Sequence, residues 1–327
     1  MVAVADVARA AGVSAATVSR VLNRHPSVRE DTRLRVEQAM QSLNYRVSIA
    51  ARSLRTAQTH LVLALVPDLA NPYYAEILRG IGITARQHNY ELLLCDSGQD
   101  SARERAIAQM LHSHLYDGVI CMDPFTTQRL VAQEVRNLPW VACSEFVPDE
   151  SIPHVSIDHR LAAKDAVLYL LSRGHRKIAL INSDERYLYA QQRREGYRDA
   201  LAEQGLSERA DHIQIVGGID PPLGELAARR MISLDDPPTA IFAVSDTLAI
   251  GAIKACITSR LRVPEQIAVM GFDDVPIANI YEPSLSTVAQ PRRELGEKAM
   301  SLLLQRLQGK MPDSITLPHT LVIRQTT

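Results

Sequence analysis

The chain of 327 residues nowhere approaches the roughly 18 uninterrupted apolar residues that a membrane span requires. Its first residues make no secretory signal, because Asp6 and Arg9 break the apolar run, so a cytoplasmic protein with no membrane partner is expected. The four cysteines, Cys95, Cys121, Cys143 and Cys256, stand apart from one another. Without paired spacing they form neither a zinc site nor a disulfide framework, and buried reduced thiols are expected. His112 and His114 would point to different faces of a helix, which leaves no metal site. No Gly-x-Ser-x-Gly elbow occurs, and the segment after the first apolar run, Pro67-Asp68-Leu69-Ala70-Asn71, lacks a glycine-rich phosphate loop. Neither an enzyme nor a cofactor is therefore expected. A transport-type binding protein would carry an export signal and no basic head.

Lysine is missing from residues 1–59, yet this is the basic end of the chain: nine Arg stand against four Asp or Glu, a net of +5. Since the whole chain sums to −1, the remainder carries −6. A basic head on an acidic body is the asymmetry of a protein that meets phosphate at one end. Within the head, Val4, Val7, Ala8 and Ala11 fall on one helical stripe. Gly12 ends that helix, and Ser14 is a good N-cap for a second whose inward positions are Val18, Val21 and Leu22. A third helix over Glu30 to Leu43 turns Val36, Ala39, Met40 and Leu43 inward. Two short helices joined by a tight glycine turn make a helix-turn-helix; a three-helix cap on an enzyme domain would show the same periodicity, and the arginines favour DNA. Arg20 is placed to pair with the O6 and N7 of a guanine in the major groove.

After residue 59 the pattern becomes apolar strand runs, from Leu61–Val66 onward, alternating with helix-length segments. This is the pattern of parallel sheets flanked by helices, an α/β body. Leu61–Val66 is echoed by Ile178–Ile181, and Tyr116–Cys121 by Pro238–Ala243, at a spacing of roughly 120 residues. Two similarly built lobes are expected.

The words Asp6-Val7-Ala8, Ala11-Gly12-Val13-Ser14, Thr17-Val18-Ser19-Arg20-Val21-Leu22-Asn23, Thr32-Arg33, Leu43-Asn44-Tyr45 and Ala51-Arg52-Ser53-Leu54-Arg55 together resemble the headpiece of the lactose-repressor (LacI/GalR) family of bacterial transcription regulators. Later matches extend the resemblance across nearly the whole chain. One departure is Arg29, where the family commonly has Ser before the third helix, and Arg cannot cap as Ser does. The resemblance implies a helix-turn-helix headpiece over 1–46, a hinge over 47–59 and a two-lobed body over 60–327, built like the periplasmic sugar-binding proteins. Lobe one would take about 60–158 and 290–318, lobe two about 159–289 and 319–327, with a ligand in the cleft between them.

Carried onto this sequence, the resemblance makes Ser14, Thr17, Ser19, Asn23, Thr32 and Tyr45 DNA contacts, mostly at phosphates; capping or solvation accounts equally well for Thr32. Ala15 and Ala16 match the two positions that choose among operators, and as alanines they offer methyl contacts, chiefly to thymine. Residues 48–55 are too few to hold a helix alone in water. In the family this hinge becomes helical on operator DNA, pairs with its dimer partner and inserts a leucine into the minor groove. Leu54 matches that leucine, with Ala51 and Arg55 beside it; a plain linker is the alternative.

In the body, Arg193-Arg194-Glu195-Gly196-Tyr197 resembles the family's Arg-x-x-Gly-aromatic segment, whose Arg reaches the ligand or stabilises the cleft. Ser245 and Asp246, like Asp273, sit where strands end and helices begin, which is where ligands collect in open α/β sheets. Asp273 can accept hydroxyl hydrogen bonds and Arg193 can donate them, while Asp246 serves as well as a helix N-cap. Tyr73, Tyr74 and Tyr187 offer faces on which a ring could stack; for the first two, core or dimer-surface packing is the alternative. Val66-Pro67-Asp68, Glu145-Phe146 and Val155-Ser156-Ile157-Asp158 look closest to the family's cytidine-repressor branch, and a nucleoside and a sugar are equally ranked as effector. The chain ends soon after its last strand with no heptad tail, so a homodimer is expected on double-stranded operator DNA.

Overall fold

The computed structural model describes residues 2–22, 25–45, 58–98, 101–112, 115–124, 138–148 and 152–327. Asn23, Ala51, Leu54, Arg55 and His114 lie outside the described residues. The chain divides into two compact units, Met1–Thr59 and His60–Thr327.

In the first unit, α1 (Val4–Ala11), α2 (Ala15–Leu22) and α3 (Glu30–Ser42) close a small core of Val7, Ala8, Ala11, Val18, Val21, Val36 and Ala39. Gly12, at φ 65°, makes the left-handed turn out of α1 that a side chain would oppose. Ser14 Oγ accepts the Thr17 N–H at 3.1 Å and so caps α2. No side-chain cap stands at Arg29; Glu30 and Asp31 instead place negative charge at the positive end of α3.

The second unit holds, among the described residues, two six-stranded sheets. Strands β1 (Leu61–Val66), β2 (Glu91–Asp96), β3 (Gly118–Cys121), β4 (Trp140–Cys143), β5 (His154–Ile157) and β11 (Ile315–Leu317) form the first, in the order β11-β5-β4-β3-β1-β2, every pairing parallel. Strands β6 (Ile178–Asn182), β7 (Ile213–Ile215), β8 (Ala240–Ala243), β9 (Ala268–Asp273), β10 (Ser286–Ala289) and β12 (Thr320–Val322) form the second. Their order is β12-β10-β9-β8-β6-β7, parallel except for the antiparallel edge strand β12. The two orders are the same once β6 is set on β1 and β8 on β3, which are the two pairs of segments that echo each other in sequence. Strands such as Val62–Val66 are buried throughout because helices cover both faces of each sheet.

Helices α4 (Tyr73–Gln87), α5 (Ser101–His112), α6 (His159–Ser172), α7 (Leu188–Glu203), α8 (Pro221–Ile232), α9 (Asp246–Thr258), α10 (Pro276–Ile280) and α11 (Arg292–Leu307) complete the described body. Helix α6 packs on α7, α8 on α9, and α4 on α11. At the α6/α7 crossing a Cβ on Gly196 would stand 2.1 Å from the Arg160 carbonyl oxygen, so the glycine of the Arg-x-x-Gly-aromatic segment is a helix-contact residue. The chain leaves the first sheet between β5 and α6, returns between β10 and α11, and crosses again between β11 and β12. Strands β10 and β11 are absent from the sequence pattern, β10 because it opens on Ser286 and Thr287 and β11 because it is only three residues long; sheet pairing makes them strands. Cys121, Cys143 and Cys256 are buried, Cys95 half-buried, and all four are free thiols. No helix among the described residues is long and apolar enough to cross a membrane.

Candidate functional site

The first unit presents Ser14, Ala15, Ala16 and Arg20 on one end and face of α2, all exposed, while Val18 and Val21 on the opposite face fill the core. Thr17 and Ser19 are half-buried at the edges of that face. Ser14 and Thr17 also share a hydrogen bond between their hydroxyls at 2.9 Å. Thr32 lies half-buried in the first turn of α3, and Tyr45 packs its ring partly against the small core. A short helix thus offers one guanidinium, two methyls and a hydroxyl to the outside, held from behind by valines.

In the second unit a cavity of about 290 Å³ opens at the carboxyl ends of strands from both sheets. The segment after β1 contributes Asp68, Asn71, Tyr73 and Tyr74; that after β4, Ser144 and Glu145; that after β6, Asp184, Tyr187, Tyr189 and Arg193; and β9 ends in Asp273. Of the body residues singled out in the sequence, Tyr73, Tyr74, Tyr187, Arg193 and Asp273 line it together. Ser245 and Asp246 do not, which corrects their placement as ligand contacts. Ser245 is the N-cap of α9, its side chain accepting the Leu248 N–H at 3.2 Å. Asp246 is fully buried, bound by the Val275 N–H at 2.8 Å and the Thr287 hydroxyl at 2.5 Å. It is therefore not the cap either; it ties the start of α9 to the ends of β9 and β10.

Behind the cavity runs a closed polar circuit. Tyr73 donates to Gln290 Oε1 at 3.0 Å and so accepts from Ser144 Oγ at 2.7 Å. Gln290 Nε2 donates to Asp273 Oδ1 at 2.7 Å, and Asp273 lies 3.8 Å from Arg193. Arg193 donates to the Val244 carbonyl and to His159 Nδ1, the latter at 3.3 Å. His159 then carries its proton on Nε2, facing Ser156 Oγ, which donates to the Ser144 carbonyl at 2.7 Å. Tyr73, Ser144 and Ser156 belong to the first sheet's side, Arg193 and Asp273 to the second, and His159 and Gln290 sit at two of the crossovers. Arg193 is further stacked on Phe272, 3.5 Å from its ring centroid. Asp273 and Ser144 both take positive φ, 116° and 70°, a strained backbone accepted where the circuit demands it.

Burial governs the charges here. It raises the Asp273 carboxyl to about 6 against the pull of Arg193 and Gln290, and drives His159 well below the usual imidazole range, helped by Arg193. Glu145, only 5 % exposed, is pushed up to about 8 by burial although Tyr189 and Leu188 N–H groups donate to it. Its Oε2 has no hydrogen-bond partner among the described residues. Sequence reasoning passed over Glu145, Ser144, Tyr189, His159 and Gln290 as site residues. The signal available for the first two was polarity directly after the buried run Trp140-Val141-Ala142-Cys143.

Comparison with known proteins places both units. Residues 3–48 match the model of the bacterial regulatory proteins of the lacI family, and residues 59–325 that of the periplasmic binding proteins and sugar binding domain of the LacI family. The chain is 36% identical over 306 residues, 93% of its length and 89% of the relative's, to the HTH-type transcriptional repressor CytR of Escherichia coli strain K12. It is 34% identical over 330 residues, 100% of its length and 99% of the relative's, to catabolite control protein A of Priestia megaterium. Among solved structures it superposes on the lac repressor dimer bound to operator and the anti-inducer ONPF, with a TM-score of 0.87 at 28% identity, covering 99% of this chain and 98% of that one. With its exposed helix-turn-helix face and its twin-sheet body, the chain belongs to the LacI family of DNA-binding transcriptional repressors.

Proposed function

We infer that this protein is a homodimeric operator-binding repressor whose hold on DNA is set by a small polar effector, a nucleoside or a sugar, in the cleft between the lobes. The observation that carries this reading is the cavity itself. It is lined from both sheets and backed by a polar circuit, two of whose members, His159 and Gln290, sit at crossovers, so a ligand there reaches the joints between the lobes through Tyr73, Arg193 and Asp273. Arg20 reads a guanine, Ala15 and Ala16 offer methyl contacts, and Ser14, Thr17, Ser19, Asn23, Thr32 and Tyr45 hold phosphates and register. Leu54, flanked by Ala51 and Arg55, wedges the minor groove, costing a few kcal/mol of stacking that added contact area offsets. Two headpieces need half-sites about one helical turn apart, hence a dimer and a near-palindromic operator.

The lobe angle sets the spacing of the two hinges, and coupling of this kind is reciprocal and typically worth about 1 to 3 kcal/mol. The test is a pair of titrations: DNA affinity with and without saturating effector, and effector affinity with and without operator. Equal factors from the two directions support the reading. Tight binding to a lone half-site, a salt-independent footprint, or an effector that leaves DNA affinity unchanged overturns it.

A further inference from the structure

The cavity's lining carries five carboxyl side chains, Asp68, Glu145, Asp184, Asp220 and Asp273, and one cationic side chain, Arg193. Arg193 is already engaged by the Val244 carbonyl, His159, the face of Phe272 and Asp273. At the rim, Arg186 is held by Asp184 at 2.7 Å.

A phosphate can also be bound by the free N–H groups of a helix N-terminus, and three helices begin at this cavity. Each is closed against an anion. Helix α8 opens with Pro221 and Pro222, which have no N–H, and the next donor, Leu223, is taken by Asp220 at 2.9 Å. At α7 the Tyr189 N–H is spent on Glu145 at 3.1 Å, with Leu188 donating to the same carboxyl. At α4 the Tyr73 N–H goes to Asn71 Oδ1 at 3.0 Å and the Tyr74 N–H to the Asn71 carbonyl. Two of these three ends thus receive a carboxyl of the cavity wall where a phosphate would otherwise sit.

We propose that the cleft admits an uncharged, hydroxyl-bearing ring compound and rejects the same compound once it carries a phosphate. This rests on the effector reading above and narrows it to one class, whose two sources are a free nucleoside and an unphosphorylated sugar. The carboxylates receive hydroxyl donors, the tyrosine cluster Tyr73, Tyr74, Tyr187 and Tyr189 offers ring faces, and 290 Å³ suits a molecule of one or two rings. A phosphate in this wall would meet the Asp68, Asp184, Asp220 and Asp273 carboxylates, while the one guanidinium of the lining is already shared among Val244, His159 and Asp273, its buried Nε alone lacking a partner among the described residues.

The experiment is calorimetric titration of the full chain with matched pairs: cytidine and cytidine 5′-monophosphate, adenosine and its 5′-monophosphate, ribose and ribose 5-phosphate, glucose and glucose 6-phosphate. The expected result is binding of at least one unphosphorylated member, with its phosphorylated partner at least 100-fold weaker. Nucleoside and sugar arms separate the two sources. Equal or tighter binding of a phosphorylated member overturns the proposal and leaves the effector reading standing. Binding by none of the eight overturns both. The double variant Asp184→Asn/Asp220→Asn keeps the shape and the α8 cap while removing two charges. It should narrow the discrimination at least tenfold, and an unchanged ratio would show that charge is not what excludes phosphate.

Discussion

The headpiece and the cleft solve opposite problems with opposite means. In the headpiece the residues proposed to meet DNA, Ser14, Ala15, Ala16, Thr17, Ser19 and Arg20, lie on six of seven consecutive positions, and their placement follows from about two turns of one helix and a core of seven small aliphatic residues. In the cleft the working residues run from Asp68 to Gln290, come from separate strand ends and are fixed by hydrogen bonds across as many as 217 positions. The headpiece leaves its polar groups in water, where they wait for DNA. The cleft buries Ser144, Glu145, His159, Arg193, Asp273 and Gln290, so each of these must find a partner or shift its protonation. One region is therefore tolerant of change except at its exposed face, while the other is coupled throughout.

The contrast breaks most visibly at Gly196. Gly196→Leu forces a side chain against the Arg160 carbonyl and should destabilise the body by about 3 kcal/mol or more, with effector binding lost and the headpiece helices intact. Calorimetric unfolding, with amide exchange followed separately in residues 2–45, checks this. Loss of headpiece protection together with the body would show that the two units do not fold independently.

Next in size is a pH effect confined to the cleft. Glu145 titrates near 8 in the folded body against 4.5 ordinarily, because burial outweighs the N–H groups of Tyr189 and Leu188 and the charge of Arg193, with Asp123 adding to the rise. The folded state thus keeps a proton that the unfolded chain has released. The stabilisation is complete below pH 4.5 and is lost as pH rises toward 8, at up to ~1.4 kcal/mol per pH unit. Denaturant unfolding at pH 5.5, 7 and 8.5 should show wild type losing more stability than Glu145→Gln over this range. Parallel slopes would return Glu145 to the ordinary carboxyl range.

Arg20→Ala sharpens the headpiece side. It should cost about 1 to 3 kcal/mol of operator binding and relax preference at one base pair per half-site, with the cleft's ligand affinity unchanged. Arg35→Ala, on α3, should weaken binding little and evenly across sequences. Binding-site selection on both variants decides it; unchanged base preference in Arg20→Ala makes Arg20 a phosphate contact.

The smallest effect is Tyr73→Phe, which removes the hydroxyl shared by Ser144 and Gln290 and should cost about 1 kcal/mol of body stability. Its informative readout is the coupling: effector should shift DNA affinity less than in wild type, while ligand-free operator binding stays the same. Unaltered coupling would mean that the circuit is structural only.

Much of this was legible beforehand. The stripe of Val7, Ala8, Ala11, Val18 and Val21, the Gly12 turn and the Ser14 cap are local, and a sequence displays local geometry directly. The β1/β6 and β3/β8 echoes announced two like lobes because strands buried on both faces must be apolar in the same way. Less legible were β10, whose Ser286 and Thr287 open it with two polar residues, and β11, whose three residues are too few to show a period; both pair because a neighbouring strand is already in place. Asp246 shows the limit most clearly: its position after a strand marked it for the ligand, and only the packing of α9 against β9 and β10 reveals it as a buried tie.

The amino-acid sequence by itself determined that this chain has a basic helix-turn-helix head, an α/β body in two repeats, and an arginine and an aspartate fit to meet a polar ligand, since each depends on spacing within a turn, a strand or a motif. Only the tertiary structure decided that Glu145 joins them, that Ser245 and Asp246 do not, and that Arg193 is bound within a circuit of seven residues. Those outcomes depend on which strand ends meet and on how much water their meeting excludes, quantities fixed by long-range packing and carried by no segment alone.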